Sequence, residues 1–310
     1  MSIKPSVGCE RCVDSLVSLW SFVCGSTLFL FLLYIDVSSS IVNCVFKSLL
    51  LQSCLLVPTS LIVVSNVSRF VNGVHQCPIY GNFWRAYFLG CVFGLGSFFA
   101  FQSAMRKIRS DFCTFGIYLD FLAFFHWSEF FFTSIYNLSN CSLDIYMLTH
   151  SSEYVLALTA SVLEYWLEKY FLYDVFSSYK WSITVINCLG SGMCIFGEVL
   201  RKLALLTAGG NFNHYVQFTK NRKHQLVTSG VYSWFRHPAY VGWFCWCIGT
   251  QILLINPLCL VAYTIMTFVF FKGRIYAEEK ALVDFFGESY RKYQKLVSTG
   301  IPFIHGYVSH

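Results

Sequence analysis

The sequence predicts an all-α fold, a polytopic transmembrane helix bundle of about eight spans, and three observations predict it. Of 310 residues, 56% are hydrophobic, 19% aromatic and only 12% charged, whereas a soluble domain averages about 25% charged. A chain so poor in charge cannot cover a water-facing surface, and its positive mean hydropathy agrees. The apolar residues come in blocks long enough to cross a hydrocarbon core of about 30 Å. The basic residues are segregated. Of 22 Lys and Arg, 12 lie from Arg201 onward, and residues 201–236 hold six basic side chains and no acidic one. A basic stretch between apolar blocks marks a cytosolic side. Nucleic-acid binding is the weaker reading, because no stacking platform or basic helix accompanies the charge.

Taken in order, the apolar blocks are 16–35, 41–64, 83–103, 112–136, 152–172, 182–205, 239–255 and 257–273. The first is longer than a signal-peptide core and no A-x-A-like site follows it, so it reads as a retained span. The last two are short and are joined by Asn256-Pro257. Proline suits the first turn of a new helix but cannot continue an old one, so 239–273 reads as a tight helical hairpin. Eight spans place both termini in the cytosol with residues 201–236. They also leave Arg106, Lys107 and Arg109 in a non-cytosolic loop, against the usual charge rule, so seven or nine spans are the alternatives. The sequons at Asn66, Asn137 and Asn140 then face the cytosol and stay unused. The chain divides into N-terminal spans, 1–110, and a catalytic core with a cytosolic C-terminal segment, 111–310.

The 14 Cys are scattered. Cys9-x-x-Cys12 stands alone and Cys245 and Cys247 lie within an apolar helix, so neither a metal site nor a disulfide scaffold is expected. Gly90, Gly94 and Gly96 lie inside an apolar helix rather than between a strand and a helix. They read as close helix packing, and no Rossmann fingerprint is present. Asp120, Glu129, Glu164, Glu168 and Glu198 fall within spans. Each must face the bundle interior and find a partner, as part of a structural hydrogen-bond network or, alternatively, of a polar substrate path with His126.

Chemistry concentrates in two places. Residues 211–242 are rich in His, Gln, Tyr and Arg, and they end at Pro238, which opens the hairpin. After the hairpin come Arg274, Glu278 and Glu279. Arg274 and Glu278 are four apart and share a helical face. Leu282, Phe285, Phe286, Tyr290 and Tyr293 then follow at amphipathic spacing. Because a hairpin returns the chain, Arg236-His237-Pro238 and Arg274–Glu278 converge at one membrane face, with the loop before Pro238 covering it. Taken singly, Arg274 and Glu278 would be a surface ion pair, Arg236 a headgroup contact and His237 a helix cap. Their joint spacing with Pro238 and Tyr240 favours a site.

The segment 230–243, GVYSWFRHPAYVGW, occurs with Thr250-Gln251, Asn256-Pro257, Arg274, Glu278-Glu279, Phe285-Phe286-Gly287 and Gly300-Ile-Pro-Phe-Ile. Upstream lie Asn211-Phe-Asn-His-Tyr-Val-Gln217 and His224-Gln-Leu-Val227. Together they resemble the eukaryotic isoprenylcysteine carboxyl methyltransferases, strongly over 207–306 and more loosely over 112–200 through His126-Trp-Ser-Glu129 and His150-Ser-Ser-Glu153-Tyr154. The resemblance implies a protein-S-isoprenylcysteine O-methyltransferase of the endoplasmic reticulum membrane, multi-pass and with its active site facing the cytosol. Its partner is the farnesylated or geranylgeranylated C-terminal cysteine of processed CaaX proteins, small GTPases among them. It further implies S-adenosyl-L-methionine as donor, surrounded by Gln217, His224, Gln225, Leu226, Val227, Tyr232, His237, Pro238, Ala239, Tyr240 and Glu278. Arg274 meets the substrate, and Arg274 and Glu278 are the catalytic pair. Ala239 departs from the common R-H-P-S-Y pattern. R-H-P-x-Y with an acid pair also recurs in phospholipid N-methyltransferases and partly in sterol reductases. These are the alternatives, together with a non-enzymatic transporter or scaffold.

Overall fold

The computed structural model describes residues 7–30, 77–105, 108–148, 151–220 and 224–308. The apolar block 41–64, residues 31–35, the sequon at Asn66, Arg106, Lys107 and His150 lie outside them, as do the side chains of Cys9 and Cys12. Every described element is helical: α1 Val7–Leu30, α2 Ile79–Ala104, α3 Asp111–Tyr136, α4 Ser152–Phe171, α5 Tyr173–Ser178, α6 Lys180–Ala208, α7 Pro238–Leu254, α8 Pro257–Phe286 and α9 Glu288–Leu296, with short 3₁₀ turns between. By length and composition, three helices are apolar enough to cross a membrane: Ile79–Ala104, Lys180–Asn211 and Pro257–Phe286. Val13–Phe29 and Pro238–Leu254 are apolar but shorter.

The helices gather into two compact units, 1–150 and 151–310. Within the first unit α2 packs along α3, on either side of residue 110. In the first unit α1, α2 and α3 pack on one another. A Cβ at Gly90 would sit 2.1 Å from the Phe22 carbonyl oxygen, and one at Gly94 would sit 2.4 Å from that of Ser26. These glycines therefore bring two helix backbones into contact, as their setting predicts. Phe22 stacks on Trp127 at 4.3 Å, and Phe130 on Tyr146 at 4.3 Å. Ser97 Oγ donates to both oxygens of Asp120 at 3.3 and 3.2 Å, tying α2 to α3. Glu129 is fully buried.

In the second unit α6 lies against α7 through small residues. A Cβ at Gly197 would approach the Gly242 carbonyl oxygen to 2.4 Å, and one at Gly190 the Leu253 amide to 2.3 Å. The α7–α8 hairpin forms where proline predicts it, with Pro257 in the first turn of α8. Glu164 of α4 accepts from the amides of Leu258 and Cys259, both at 2.7 Å, and so caps α8 from a neighbouring helix. Asn256 Nδ2 donates to the Ser161 carbonyl at 2.8 Å, and Ser161 Oγ donates to Gln251 Oε1 at 3.0 Å. Glu198 pairs with Lys202 at 3.1 Å, one turn apart. The acids read as structural partners thus include at least Asp120, Glu164 and Glu198, each holding a helix or neighbouring helices together. The hairpin turn, locked in this way, lies at the far end of α7 from His237. Seventeen residues at 1.5 Å each separate them by about 25 Å.

Candidate active site

The site is built where α7 begins and the apolar part of α8 ends. Gly230, at φ +58°, turns the incoming loop, and only glycine takes that conformation freely. Pro238 then fixes the first turn of α7. The preceding Arg236 and His237 are both buried. Arg236 Nε donates to Glu279 Oε1 at 2.7 Å, and its two Nη atoms donate to the carbonyls of Gln294 (3.1 Å), Val297 and His305 (2.9 Å). Glu279 also receives His237 Nε2 at 3.1 Å, Gln294 Nε2 at 3.0 Å and the Tyr307 amide at 2.9 Å. A fully buried carboxylate met by this many donors is compensated for the loss of water. Arg236 is therefore not a lipid-headgroup contact. It is the centre of a clamp that binds the start of α7, helices α8 and α9, and the C-terminal tail.

Glu278 and Glu279 are neighbours with opposite environments. The Glu279 side chain is 0% exposed, whereas Glu278 keeps 29% of its side chain open. Successive helical residues point about 100° apart, so one of the pair is directed into the clamp and the other into the site. Tyr240 donates its hydroxyl hydrogen to Glu278 and accepts at the same oxygen from Arg274 Nε, at 2.8 Å. A second Arg274 nitrogen donates to the His214 carbonyl. The His237 ring stacks on Tyr240, with centroids 5.5 Å apart and planes 9° apart, and its Nδ1 lies 3.9 Å from Glu278. The Arg274 guanidinium also sits 5.5 Å from the Tyr240 ring centroid and 5.9 Å from that of Phe270. Arg274 and His237, 37 positions apart, thus share one tyrosine, as the hairpin argument requires.

The covering loop contributes at longer range. His224 lies 5.8 Å from Phe285 and 6.0 Å from Phe286, ring to ring. Burial, and then the charge of Lys220, lower its pKa below the ordinary 6.5, with Glu278 acting in the other direction. Leu226 packs against Val283, Tyr290 and Tyr293. The Gln225 amide donates to Asn211 Oδ1 at 2.9 Å. Tyr232 receives the Tyr293 hydroxyl on its carbonyl, and burial, followed by the nearby Glu278, raises its phenol pKa. Gln217 is turned to its own loop, donating to the Tyr215 carbonyl at 3.2 Å. Val227 is half-buried and Ala239 buried. The structure therefore brings Tyr240, Glu278, Arg274 and His237 into one constellation, with His224 and Tyr232 electrostatically adjacent to Glu278.

Two contributors escaped the sequence reading. Arg201, counted there only within a cytosolic basic stretch, is buried. Its Nη1 donates to the Ala239 carbonyl at 3.2 Å, and its guanidinium lies 5.1 Å from the Trp243 ring. It steadies the first turn of α7. Gly306, at φ +82°, lets the tail pass Glu279 where a Cβ would fall 1.9 Å from Oε2. Among the described residues no cluster of three or more metal-ligating side chains occurs.

A family model described as the isoprenylcysteine carboxyl methyltransferase family matches residues 190–284, which contain the whole constellation. Over 233 residues the chain is 48% identical to a protein-S-isoprenylcysteine O-methyltransferase of Xenopus laevis, covering 75% of this chain and 77% of that one. With the protein of the same name from Homo sapiens the identity is 45% over 243 residues, covering 78% and 82%. With that from Saccharomyces cerevisiae it is 36% over 232 residues, covering 74% and 94%. A solved structure of a eukaryotic intramembrane Ras methyltransferase, an isoprenylcysteine carboxyl methyltransferase, superposes with a TM-score of 0.77 at 40% identity, covering 95% of this chain and 99% of that one. The chain belongs to the isoprenylcysteine carboxyl methyltransferase family.

Proposed function

We propose that the protein methylates the C-terminal carboxylate of a prenylated cysteine, farnesyl or geranylgeranyl, on processed CaaX proteins such as small GTPases, with S-adenosyl-L-methionine as donor. The observation that carries this reading is the Arg274–Tyr240–Glu278 chain, which sets a guanidinium beside a part-open carboxylate. The donor fits the residues present. Glu278 has acceptor capacity left after the single bond from Tyr240, which suits a ligand bearing an ammonium group. Gln217, His224, Gln225, Leu226, Val227, Tyr232, His237, Pro238, Ala239 and Tyr240 would hold the donor with Glu278. Bound there, S-adenosyl-L-methionine supplies an electrophilic methyl on a sulfonium.

The acceptor, an α-carboxylate with a reference pKa of about 3.5, is already ionised at neutral pH and needs no general base. The chain's task is alignment and electrostatics. Arg274 has five N–H donors; Tyr240 and His214 engage two of its nitrogens, which fixes the fork in place. The remaining donors can take one carboxylate bidentately and leave a lone pair for attack. Tyr240, held on the other side by Glu278 and the His237 ring, sets the direction of that fork. The Tyr240 and Phe270 rings beside the Arg274 guanidinium displace water from it, which favours a reaction in which opposite charges cancel.

The lipid tail accounts for an enzyme embedded in the membrane. A prenyl chain partitions into a bilayer with about 0.8 kcal/mol per buried CH₂. An embedded site receives it sideways while the donor enters from the cytosol, and the endoplasmic reticulum is the expected membrane. An amine-methylating enzyme would not place a guanidinium at the acceptor position, and the relatives' names point the same way. The test is labelled methyl transfer from S-adenosylmethionine to farnesylcysteine or to phosphatidylethanolamine. Transfer to farnesylcysteine alone is expected. Transfer to the phospholipid alone, or a requirement for NADPH, would overturn the reading.

A further inference from the structure

The C-terminal segment has an exposed apolar tip that the proposed chemistry does not use. Leu296 is 84% and Phe303 86% exposed, and Pro302 beside it is exposed as well. Phe303 adopts φ +64°, a conformation costly for a bulky side chain. The turn that imposes it is rigid. Thr299, Ile301 and Ile304 are buried, and Thr299 Oγ1 donates to the Ile304 carbonyl at 2.5 Å. The turn is docked on the start of α7. The Arg236 amide donates to the Ser298 carbonyl at 2.8 Å, and a Cβ at Gly300 would meet the side chains of Val241 and Phe235. From Val241 to Gly249 α7 carries no charged or amide side chain, so the tip stands at the level where an apolar helix begins. Trp234, next to Phe235, is exposed at the same rim.

The charge beside this tip is basic. Lys292, Lys295 and Leu296 share one face of α9 by their i, i+3, i+4 spacing, and both lysines are exposed. Arg291 and Lys295 line a cavity of about 560 Å³ with Gln294, His305 and Tyr307. The one acid on its wall, Glu288, is paired with Arg291 at 2.6 Å. Exposed apolar side chains next to a basic helical face have the chemistry of a surface that lies in a bilayer interface.

We propose that residues 291–303, with Trp234, form an interfacial anchor: Phe303, Leu296 and Trp234 enter the lipid, and Lys292 and Lys295 bind the phosphate of anionic headgroups. The anchor fixes the depth of the Arg236–Glu279 clamp, to which it is joined through the Gln294 and Val297 carbonyls.

The test places the photo-reactive p-benzoylphenylalanine at position 303 or 296 of the full-length enzyme, in nanodiscs of phosphatidylcholine with and without phosphatidylserine. Lipid adducts are expected at both positions. Their yield should fall about fivefold or more when phosphatidylserine is left out, the factor expected of one basic residue near a charged surface. Lys292→Glu with Lys295→Glu should remove that dependence. Absence of lipid adducts, adducts to a second protein copy, or a yield indifferent to phosphatidylserine would overturn the proposal. Phe303→Gly provides a second measure. It relieves the backbone strain, so the melting temperature in detergent should hold or rise; unfolding would show instead that Phe303 belongs to the core.

Discussion

At the scale of single residues, the glutamate pair after the hairpin divides the labour between holding the fold and serving the site. Glu279 is buried against Arg236 and His237, so Glu279→Gln breaks a buried ion pair and should cost about 3–5 kcal/mol of stability, read as a large drop in melting temperature. Glu278→Gln alters a part-open side chain, so its melting temperature should stay close to that of the parent while donor affinity falls. Arg274 is expected to bind the acceptor with charge-assisted bonds worth about 1.5–3 kcal/mol. Arg274→Ala should therefore lower kcat/KM for farnesylcysteine by about ten- to a hundredfold or more. Arg274→Lys should recover only part, because an ammonium keeps the charge but loses the fork.

His224 supplies the pH dependence at the same scale. Its folded pKa is lowered by burial and Lys220. Its contribution is therefore present above about pH 6.5, the unfolded value, and is lost as pH falls towards the folded value. In the proposed site, protonation would also add positive charge beside the cationic donor. Below about pH 6.5, S-adenosylmethionine should lose affinity faster than S-adenosylhomocysteine, whose sulfur is neutral, and His224→Gln should flatten the difference. Equal loss for both ligands would remove His224 from the donor site.

At the scale of elements, α6 and α7 approach through glycines because a site at the end of a hairpin tolerates little drift. Gly197→Ala would insert a methyl group 2.4 Å from the Gly242 carbonyl, and the forced separation should cost about 1–3 kcal/mol. Since Arg201 of α6 holds Ala239 at the start of α7, activity should fall further than stability alone explains. Thermal melting and turnover measured on the same sample separate the two effects. At the other end, the Ser161–Gln251–Asn256 network and the Glu164 cap fix where α8 starts. In the proposed reaction Thr250-Gln251 and Asn256-Pro257 would act through the register of the helix that carries Arg274.

At the scale of the whole molecule, the helical architecture was legible because long apolar blocks have few alternatives. Pro238 and Pro257 marked helix starts, and Gly90 and Gly94 read correctly as packing contacts. The convergence of His237 with Arg274 followed from the hairpin alone. What escaped were interactions that depend on which way a side chain turns. The spacing of Glu278 and Glu279 shows that they diverge by about 100°, but not which of them is buried. Arg201 and Arg236 counted as cytosolic charge, although both are buried against carbonyls or a carboxylate. No local pattern announces that residues 298–307 fold back over the clamp, because those contacts join Tyr307 to Glu279, 28 positions apart, and His305 to Arg236, 69 apart.

In the proposed reaction Arg274, Tyr240, Glu278 and His237 form one site with a donor side and an acceptor side. Calorimetric titration of the detergent-solubilised full chain with S-adenosylhomocysteine tests it most directly, on the parent, Glu278→Gln and Arg274→Ala. Saturable binding to the parent is expected, weakened about tenfold or more in Glu278→Gln by loss of a charge-assisted bond and nearly unchanged in Arg274→Ala, whose turnover is impaired. Absence of saturable binding to the folded parent, or binding that Glu278→Gln leaves intact and Arg274→Ala abolishes, would contradict it.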